Sequence, residues 1–549
     1  MKALNVLRAA LAQAAAKLGA PGIGDADVVL ERPRDPAHGD VATNLALALA
    51  KTLKAKPRDV AGRLVAVLEL PAGFARKVEI AGPGFINFFL AGEQVVGVLP
   101  AILAAGAAYG KSDVGAGAKV NVEFVSANPT GPLHVGHGRG AALGDGIAAL
   151  LEWAGWAVTR EFYVNDAGIQ VDKLARSLWA RVQQLAGRPA EIPDGGYQGE
   201  YLKELAEGIL AKEGKRFADL PEEEGLRRCR TIGVLSQRAE QDEDLREFGV
   251  RFDVVLRESE LYTQGLIEQT LDELAKGGHT FEEDGALWLR TTAFGDDKDR
   301  VLRKRDGTYT YLVPDIAYHR NKHERGFVQA IDVWGADHHG YVPRMRAALR
   351  ALGYPDGFLH VEIVQLVRVM RSGEEVRFSK RAGDFVSLRD LFEETGVDAA
   401  RYFFLMRRGD AQFVFDVDLA KSQTDDNPVF YVQMAHARMC GIFRVAARAP
   451  ESVGAQGADL GALTQAEEIA LIKELADFPD TVRRAAEARE PHRITGYLEG
   501  LARLAHGWYH KYRVLGEREE TARLVLARAV RQVLANGLTL LGIRAPERM

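Results

Sequence analysis

The segment EFVSANPTGPLHVGH at residues 123–137 decides the fold of this chain. Apolar residues alternate from Val120 to Val125, which predicts a buried strand, and the prolines and glycine between residues 128 and 132 end that strand in a loop. Apolar residues then recur at helical spacing from Leu143 to Ala154, and alternation returns over 157–164. The segment therefore predicts a strand–loop–helix–strand unit. Its two histidines lie at the positive end of the helix dipole, a position that binds anions such as phosphate.

His134 and His137, three residues apart, are open to three interpretations. They could cap the helix, ligate a metal or donate to phosphate. No nearby cluster of cysteines or carboxylates in the sequence would complete a metal shell. The four-residue pattern alone favours the cap, and only a second segment strengthens the phosphate interpretation.

That second segment covers residues 360–383. Residues 360–370 are predicted to form one strand, 371–374 a turn and 375–378 a return strand. The loop that follows contains Lys380 and Arg381 beside a serine and a glycine, a composition that suits contacts to phosphate oxygens. A solvated basic turn would be the better interpretation if the first segment were absent.

Both segments resemble a known pair of motifs. HVGH at 134–137 resembles the HIGH signature of class I aminoacyl-tRNA synthetases, and RFSKR at 377–381 resembles their KMSKS loop. Further blocks, spread over nearly the whole chain, resemble bacterial arginyl-tRNA synthetases: GDVATNLALALAK, GPGFINFFL, YVNDAG, WGADHHGYVPR, SKRAGDFVSLRDL, DAARYFFLMR, DNPVFYVQMAHAR and LGIRAPERM.

The fold expected from this resemblance agrees with the alternation of strands and helices after Val120, which predicts a parallel sheet. We expect an α/β protein with three domains. Residues 1–110 form a small α/β N-terminal domain that contacts tRNA. Residues 111–420 form a class I, Rossmann-like, doubly wound parallel-sheet catalytic domain with a mostly helical insertion near 171–290. Residues 421–549 form an all-α anticodon-binding domain.

Local patterns give several element predictions. In the N-terminal domain we expect helices over 2–18 and 41–54 and a strand over 84–90. The Gly/Ala-rich passage 104–118 is predicted to be a linker. Asn427 and Pro428 are predicted to be the N-cap and first residue of a helix.

The resemblance implies an arginine–tRNA ligase. Such an enzyme uses ATP to activate L-arginine as arginyl-adenylate, transfers arginine to the 3′ end of tRNA(Arg) for protein synthesis, and releases AMP and diphosphate. By resemblance, His134, His137 and Lys380 are catalytic, and the same three residues bind ATP together with Gly136 and Ser379. Arg377 replaces the first lysine of the KMSKS pattern, which leaves its role open.

The arginine site implied by the resemblance needs carboxylates that match a planar guanidinium. Glu123 and Asp315 are expected to face it, with help from the hydroxyl of Tyr311. Ser126 and Asn128 are expected to meet the α-amino and carboxylate end of the substrate. Asp337 and His338 are expected beside the pocket, and which of them contacts arginine is left open.

The composition agrees with an ordinary globular protein, at 47% hydrophobic and 27% charged residues. No apolar run approaches the roughly 20 residues that span a bilayer, and we expect a cytoplasmic monomer. Cys229 and Cys440 lack a CxxC partner, so no structural zinc is expected. The metal expected is Mg²⁺ with ATP. A net charge of −5 does not exclude RNA binding, which depends on local basic faces. Candidate RNA-contacting side chains in the C-terminal domain are Tyr431, His436, Arg438, Trp508, Tyr509, His510 and Tyr512.

Two other functions fit parts of this pattern. A nucleotidyl transferase of the HxGH superfamily without a tRNA substrate predicts a much shorter chain and no helical C-terminal domain. A non-catalytic synthetase-like RNA-binding protein predicts erosion of HVGH or loss of the lysine, whereas His134, Gly136, His137 and Lys380 are all present.

Overall fold

The N-terminal part of the chain is a four-stranded antiparallel sheet with helices packed on it. The computed structural model describes residues 2–33, 35–166, 168–376 and 385–549. Its first elements are α1 (Lys2–Lys17), β1 (Leu30–Glu31), β2 (Val41–Thr43), α2 (Leu45–Leu49), α3 (Pro57–Val67), β3 (Ala75–Ala81), β4 (Phe85–Leu90), α4 (Gly92–Val96) and α5 (Val98–Ala105). The strand order is β1-β2-β4-β3, and every pairing is antiparallel.

A five-stranded parallel sheet forms the centre of the molecule. The elements that build and surround it are β5 (Lys119–Glu123), α6 (Val135–Trp153), β6 (Ala157–Val164), α7 (Ile169–Leu185), α8 (Glu200–Glu213), α9 (Glu222–Glu247), β7 (Val254–Arg257), α10 (Glu258–Thr263), α11 (Leu266–Lys276), β8 (Thr280–Glu283), β9 (Ala286–Leu289), β10 (Arg300–Arg303), α12 (Leu312–Glu324), β11 (Gln329–Gly335), α13 (Val342–Ala351) and β12 (Leu359–Val364). The strand order β12-β11-β5-β6-β7 reverses direction between β5 and β11, the switch point where such sheets bind ligands.

The remaining elements form a small sheet and then only helices. They are β13 (Val367–Arg371), β14 (Glu374–Glu375), α14 (Leu388–Thr395), α15 (Val397–Leu405), β15 (Phe413–Asp416), α16 (Val417–Lys421), α17 (Pro428–Val445), α18 (Ala466–Ala488), α19 (His492–Lys511) and α20 (Glu520–Leu540). The predicted fold class is therefore confirmed: a doubly wound parallel sheet lies between a small α/β unit and a helical C-terminal part. The predicted cap of α17 is also confirmed, because the side chain of Asn427 accepts from the N–H groups of Val429 and Phe430.

Three element predictions were wrong. Val41–Thr43 is a strand that pairs with β1 and β4, so the helix expected over 41–54 is limited to α2. The single strand expected over 360–370 is two strands, since β12 joins the parallel sheet and β13 pairs with β15. The segment 171–290 is not one insertion, because β7 within it is the edge strand of the parallel sheet. In each case a short apolar pattern did not show which sheet the residues join.

Helix α6 is enclosed on both sides. It packs on β6 and β11 and is covered by α15, α18 and α20. Its glycines permit this close approach, since a Cβ added at Gly144 would meet Cγ of Phe124 at 2.2 Å, and one at Gly138 would meet Cδ1 of Leu388 at 2.5 Å. Packing therefore explains the glycines at positions 138 and 144 of α6.

The passage 104–118, predicted to be a linker, is fixed to the C-terminal helices. The side-chain amide of Asn536 on α20 donates to the carbonyls of Gly106 and Tyr109, and the Tyr109 hydroxyl donates to the carbonyl of Leu475. The N-terminal sheet is also attached to α18, because Arg32 forms ion pairs with Asp477 at 2.7 Å and Glu474 at 3.1 Å.

One buried guanidinium joins helix α6 to the C-terminal part. Arg401 on α15 is inaccessible to solvent. It pairs with Asp145 of α6 at 2.6 Å and donates to the carbonyls of Phe248 and Leu541. Arg401 therefore satisfies polar groups from three separate elements at once.

Replacing Arg401 with methionine is expected to destabilise the protein by about 1–3 kcal/mol for each buried acceptor left unpaired, because the carbonyls of Phe248 and Leu541 lose this donor and Asp145 keeps only Arg160, at 3.1 Å. A fall of several degrees in the thermal unfolding midpoint would measure this. The control is Arg544→Met, which removes an ion pair with Asp398 from a side chain that is 83% exposed and should cost about 0–1 kcal/mol. Equal shifts for the two variants would contradict the assigned role of Arg401.

Candidate active site

The two histidines of the first motif cap helix α6 and each other. Nδ1 of His134 accepts from the backbone N–H of His137 at 3.1 Å, and Nδ1 of His137 accepts from the backbone N–H of His134 at 3.3 Å. Their rings stack with centroids 3.6 Å apart. Because both Nδ1 atoms are acceptors, a neutral ring must carry its proton on Nε2. Each histidine thus keeps one N–H donor at the helix N-terminus.

Burial keeps both rings neutral. It lowers the pKa of His134, and it lowers the pKa of His137 to about 3, with a smaller contribution from the neighbouring His134. The charged form of either ring would also lose its acceptor atom. These side chains therefore act as neutral donors near pH 7, and the cap and the phosphate interpretations are compatible.

The imidazole of His137 is expected not to take up a proton between pH 8 and pH 5. The unfolded chain binds this proton near pH 6.5, so the stability contributed by His137 is present above about pH 6.5 and decreases toward pH 3. Side-chain nitrogen shifts in a histidine-labelled NMR sample would measure the titration, with the His137→Asn variant assigning the signal. A midpoint near 6.5 in the folded protein would contradict the reciprocal cap.

Gly136 is required by the same cap. A Cβ at this position would lie 2.9 Å from Cε1 and 3.0 Å from Nδ1 of His134. The glycine therefore leaves space for the imidazole as well as for any ligand at the helix terminus.

The segment before the histidines is held on two sides. Val135 donates its N–H to the carbonyl of Val386, and Leu388 donates to the carbonyl of Leu133 at 2.7 Å, so the residues after the second motif pair with the first. Gln241 on α9 donates to the carbonyls of Asn128 and Gly131 from behind. No sequence pattern identified Gln241 as a partner of this loop. The predicted phosphate-binding residues Ser379 and Lys380, and Arg377, lie outside the described residues.

Glu123, at the end of β5, is already in an ion pair. Its Oε2 lies 2.6 Å from Nζ of the fully buried Lys322, and its Oε1 accepts from the hydroxyl of Ser126 at 2.9 Å. Lys322 also pairs with Asp332 at 2.8 Å. The resemblance implied that Glu123 faces the guanidinium of the substrate, and no sequence pattern identified Lys322 as its ion-pair partner. Ser126 was expected to meet the α-amino and carboxylate end of the substrate, but its hydroxyl donates to the Glu123 carboxylate in the structure.

Asp315, on the first turn of α12, is the other predicted carboxylate. Its Oδ2 accepts from the hydroxyl of Tyr341 at 2.6 Å. Burial raises the pKa of Asp315, and no lysine or arginine forms an ion pair with it within the described part of the chain. Glu258 lies nearby, where it accepts from the Tyr163 hydroxyl at 3.1 Å, and burial raises its pKa as well. Tyr163, Glu258 and Tyr341 were missed because no short pattern marks them.

The other predicted arginine-site residues are exposed. Asn128 lies at the surface of its loop, and the side chain of Tyr311 is 70% exposed next to α12. Asp337 and His338 lie in a 3-10 helix, Ala336–Tyr341, with Nε2 of His338 3.4 Å from Oδ2 of Asp337. This short helix also carries Tyr341, so it places His338 near Asp315.

Two of the candidate RNA-contacting residues are part of the core. Trp508 is fully buried, and His436 is buried with Nδ1 in contact with the carbonyl of Pro546 at 2.8 Å. Neither ring is available for stacking on a base, so these two expectations were wrong. Tyr509 and His510 remain exposed, and Arg438 lies 6.0 Å from the Tyr509 ring.

The residues that the structure describes contain no group of three or more histidine, cysteine, aspartate or glutamate side chains arranged to hold a metal ion. The two cysteines, Cys229 and Cys440, are buried and unbridged. Within these same ranges, none of the helices combines the length and the apolar character needed to cross a bilayer.

Comparison with known proteins matches three family models along the chain. These are the arginyl tRNA synthetase N-terminal domain over 5–90, the catalytic domain of class I (R) tRNA synthetases over 98–425, and the DALR anticodon binding domain over 432–549.

Similar proteins cover almost the full length. The chain is 50% identical over 526 residues to an arginine–tRNA ligase of Geobacillus kaustophilus, covering 95% of this chain and 94% of the relative. It is 49% identical over 527 residues to that of Anoxybacillus flavithermus, with the same coverage. The solved arginyl-tRNA synthetase of Thermus thermophilus superposes with a TM-score of 0.77 at 28% identity and covers 99% of both chains. The chain belongs to the class I arginyl-tRNA synthetase family.

Proposed function

We propose that His134, His137 and Lys380 stabilise the phosphates of ATP while this arginine–tRNA ligase forms arginyl-adenylate. The observation that carries the proposal is the reciprocal cap, which leaves two neutral Nε2–H donors at the N-terminus of a 19-residue helix. The α-carboxylate of arginine attacks the α-phosphorus of ATP, a phosphorus–oxygen bond is made, and diphosphate leaves. Preorganised donors lower the cost of the charge that develops on the phosphate oxygens.

The second step transfers arginine to the 3′ end of tRNA(Arg). A ribose hydroxyl of the terminal adenosine attacks the carbonyl carbon of the adenylate, an ester forms, and AMP leaves with the electron pair of the broken bond. Gly136 and Ser379 complete the proposed ATP site. The protein supplies position and electrostatic stabilisation at both steps.

The arginine pocket is proposed to use Asp315 as its main counter-charge. A buried carboxylate without a cation gains most when a guanidinium arrives. Tyr311 lies at the start of the same helix, and Ser126 and Asn128 are proposed to serve the amino-acid end. Of Asp337 and His338, we favour His338, since it lies near Asp315. Glu123 contributes an oxygen that Lys322 and Ser126 already hold in place.

Several further features belong to this proposal. Mg²⁺ enters with ATP, bound mainly by phosphate oxygens and water. We propose domain boundaries near residues 110 and 420, a monomer, and a cytoplasmic location, where ribosomes consume aminoacyl-tRNA.

The test is ATP–pyrophosphate exchange with each amino acid, with and without tRNA(Arg). Only arginine should support exchange, because a pocket built on a buried carboxylate rejects side chains that leave it unpaired. Charging of citrulline or lysine at a comparable rate would contradict the assignment of Asp315.

The same experiment measures dependence on tRNA. The resemblance implies that bound tRNA raises arginine-dependent exchange, and α6, covered by α18 and α20, gives a physical route for this coupling. tRNA that lacks the terminal adenosine should stimulate less than intact tRNA. Strong exchange without tRNA would show that the pocket is organised in advance.

His137→Ala and Lys380→Ala are each expected to lower the single-turnover rate by about two to four orders of magnitude, as loss of a transition-state donor does. The His137 change also removes a helix cap worth about 0.5–2 kcal/mol. The matched control is Ser387→Ala, which removes the cap of α14 but no imidazole. A change of less than about threefold for either variant, or an equal loss in the control, would remove these residues from the mechanism.

A further inference from the structure

Three carboxylates lie side by side on the parallel sheet. In the register of the strands, Glu123 of β5 is the direct partner of Asp332 on β11 and of Glu161 on β6. Neighbouring like charges on one face of a sheet repel each other. All three side chains are buried, so the row requires cations.

Helix α12 supplies those cations. Lys322 lies between Glu123 and Asp332 at 2.6 Å and 2.8 Å, and Arg325, which follows the helix, binds both oxygens of Glu161 at 2.8 Å. His319 contacts the Asp315 carbonyl through Nδ1 and Asp332 through Nε2, both at 2.7 Å. Since both partners of His319 are acceptors, both ring nitrogens donate and the imidazole is cationic.

The group around Glu123 is therefore electrically balanced. The two acids Glu123 and Asp332 face the two basic groups Lys322 and His319; burial raises the pKa of Glu123, and the Lys322 ammonium opposes that shift. Burial favours the neutral forms, but the attraction of Asp332 and Glu123 keeps the pKa of Lys322 above its ordinary value. The ammonium is charged and has no contact with solvent.

The same helix carries Asp315 into the arginine pocket. Asp315, His319 and Lys322 are spaced by four and three residues, which places them on one face of α12. The contacts of Lys322 and His319 with the sheet thereby fix the helix that presents Asp315. They also fix the Glu123 carboxylate at the end of β5.

We propose that Lys322 is a positioning residue for arginine binding: anchored on Asp332, its ammonium fixes the Glu123 carboxylate and ties it to the helix that carries Asp315. The proposal rests on the function proposed above. Lys322 has no contact with substrate in this role. It sets the separation and orientation of two acidic groups that must meet one planar cation, where small displacements are costly.

The test is Lys322→Met, assayed by steady-state aminoacylation. The KM for arginine should rise about 10- to 100-fold, as expected for displaced contact groups, while the KM for ATP changes less than about twofold. Lys322→Arg, which keeps a cation between the two carboxylates, should recover part of the affinity for arginine. Arginine KM values that are unchanged in Lys322→Met would overturn the proposal.

The matched control is Arg325→Met. It removes a cation from the same row of carboxylates, but its partner Glu161 has no proposed contact with arginine. This variant should unfold at a lower temperature with the KM for arginine unchanged. An equal rise of that KM in both variants would mean that the row has only a structural role, and would overturn the assignment of Lys322.

If Lys322→Met does not fold, Asp332→Asn is the second variant. It removes the charge that holds the Lys322 ammonium and keeps the size of the side chain at position 332. An arginine KM within twofold of the parent value would overturn the proposal. The parent enzyme separates the two hypotheses. Failure of the parent to charge arginine refutes the proposed function, whereas an active parent with an unresponsive Lys322 refutes only this inference.

Discussion

The row of three buried carboxylates across β11, β5 and β6 is the constraint on which the centre of the molecule depends. Without α12 those strands would bring like charges together in a site from which water is excluded, and the cost would be several kcal/mol for each uncompensated ion. Lys322 and Arg325 offset this cost with ion pairs of 2.6 to 2.8 Å to the three carboxylates. The helix is thus fixed on the sheet by charge as well as by apolar contact. Because Glu123 ends β5 and Lys322 lies on the helix that carries Asp315, the same pairs set the relative position of these two acidic residues.

Helix α6 connects the two histidines at its N-terminus to the C-terminal helices. Its N-terminus presents the two imidazoles, and its glycine- and alanine-rich body lies between the parallel sheet and the C-terminal helices. Arg401 ties this body to the end of α20 through Asp145. A continuous buried cluster of apolar side chains runs from the sheet into the C-terminal helices. These packed contacts are the physical route for the coupling proposed above between bound tRNA and the N-terminus of α6.

The sequence predicted the fold, and the strand, loop and helix that carry the candidate site, because the relevant patterns are local. The strand, loop and helix around His134 follow from alternation and helical spacing, and the cap of α17 follows from Asn427 and Pro428. The partner of a short strand is not local, which explains the errors at Val41–Thr43 and Val254–Arg257. The ion pair of Glu123 could not be predicted from local patterns either, because its partner Lys322 lies 199 residues later in the chain. The sequence of α12, LVPDIAYHRNKHE, does not single out Asp315, His319 and Lys322, because the helix also carries Arg320, Asn321, His323 and Glu324.

The ion pair between Glu123 and Lys322 affects how the proposed pocket can select a cationic substrate. A carboxylate that is already neutralised adds little net attraction for a second cation, but it still offers an acceptor in a fixed direction. Asp315 has a pKa raised by burial, and among the described residues its carboxylate accepts from the Tyr341 hydroxyl without an ion pair to lysine or arginine, so in the proposed pocket it supplies the unbalanced charge. In the proposed pocket, one acid thus attracts the guanidinium and the other orients it. This division of tasks reconciles the proposed binding of a cation with the ammonium that lies 2.6 Å from the Glu123 carboxylate.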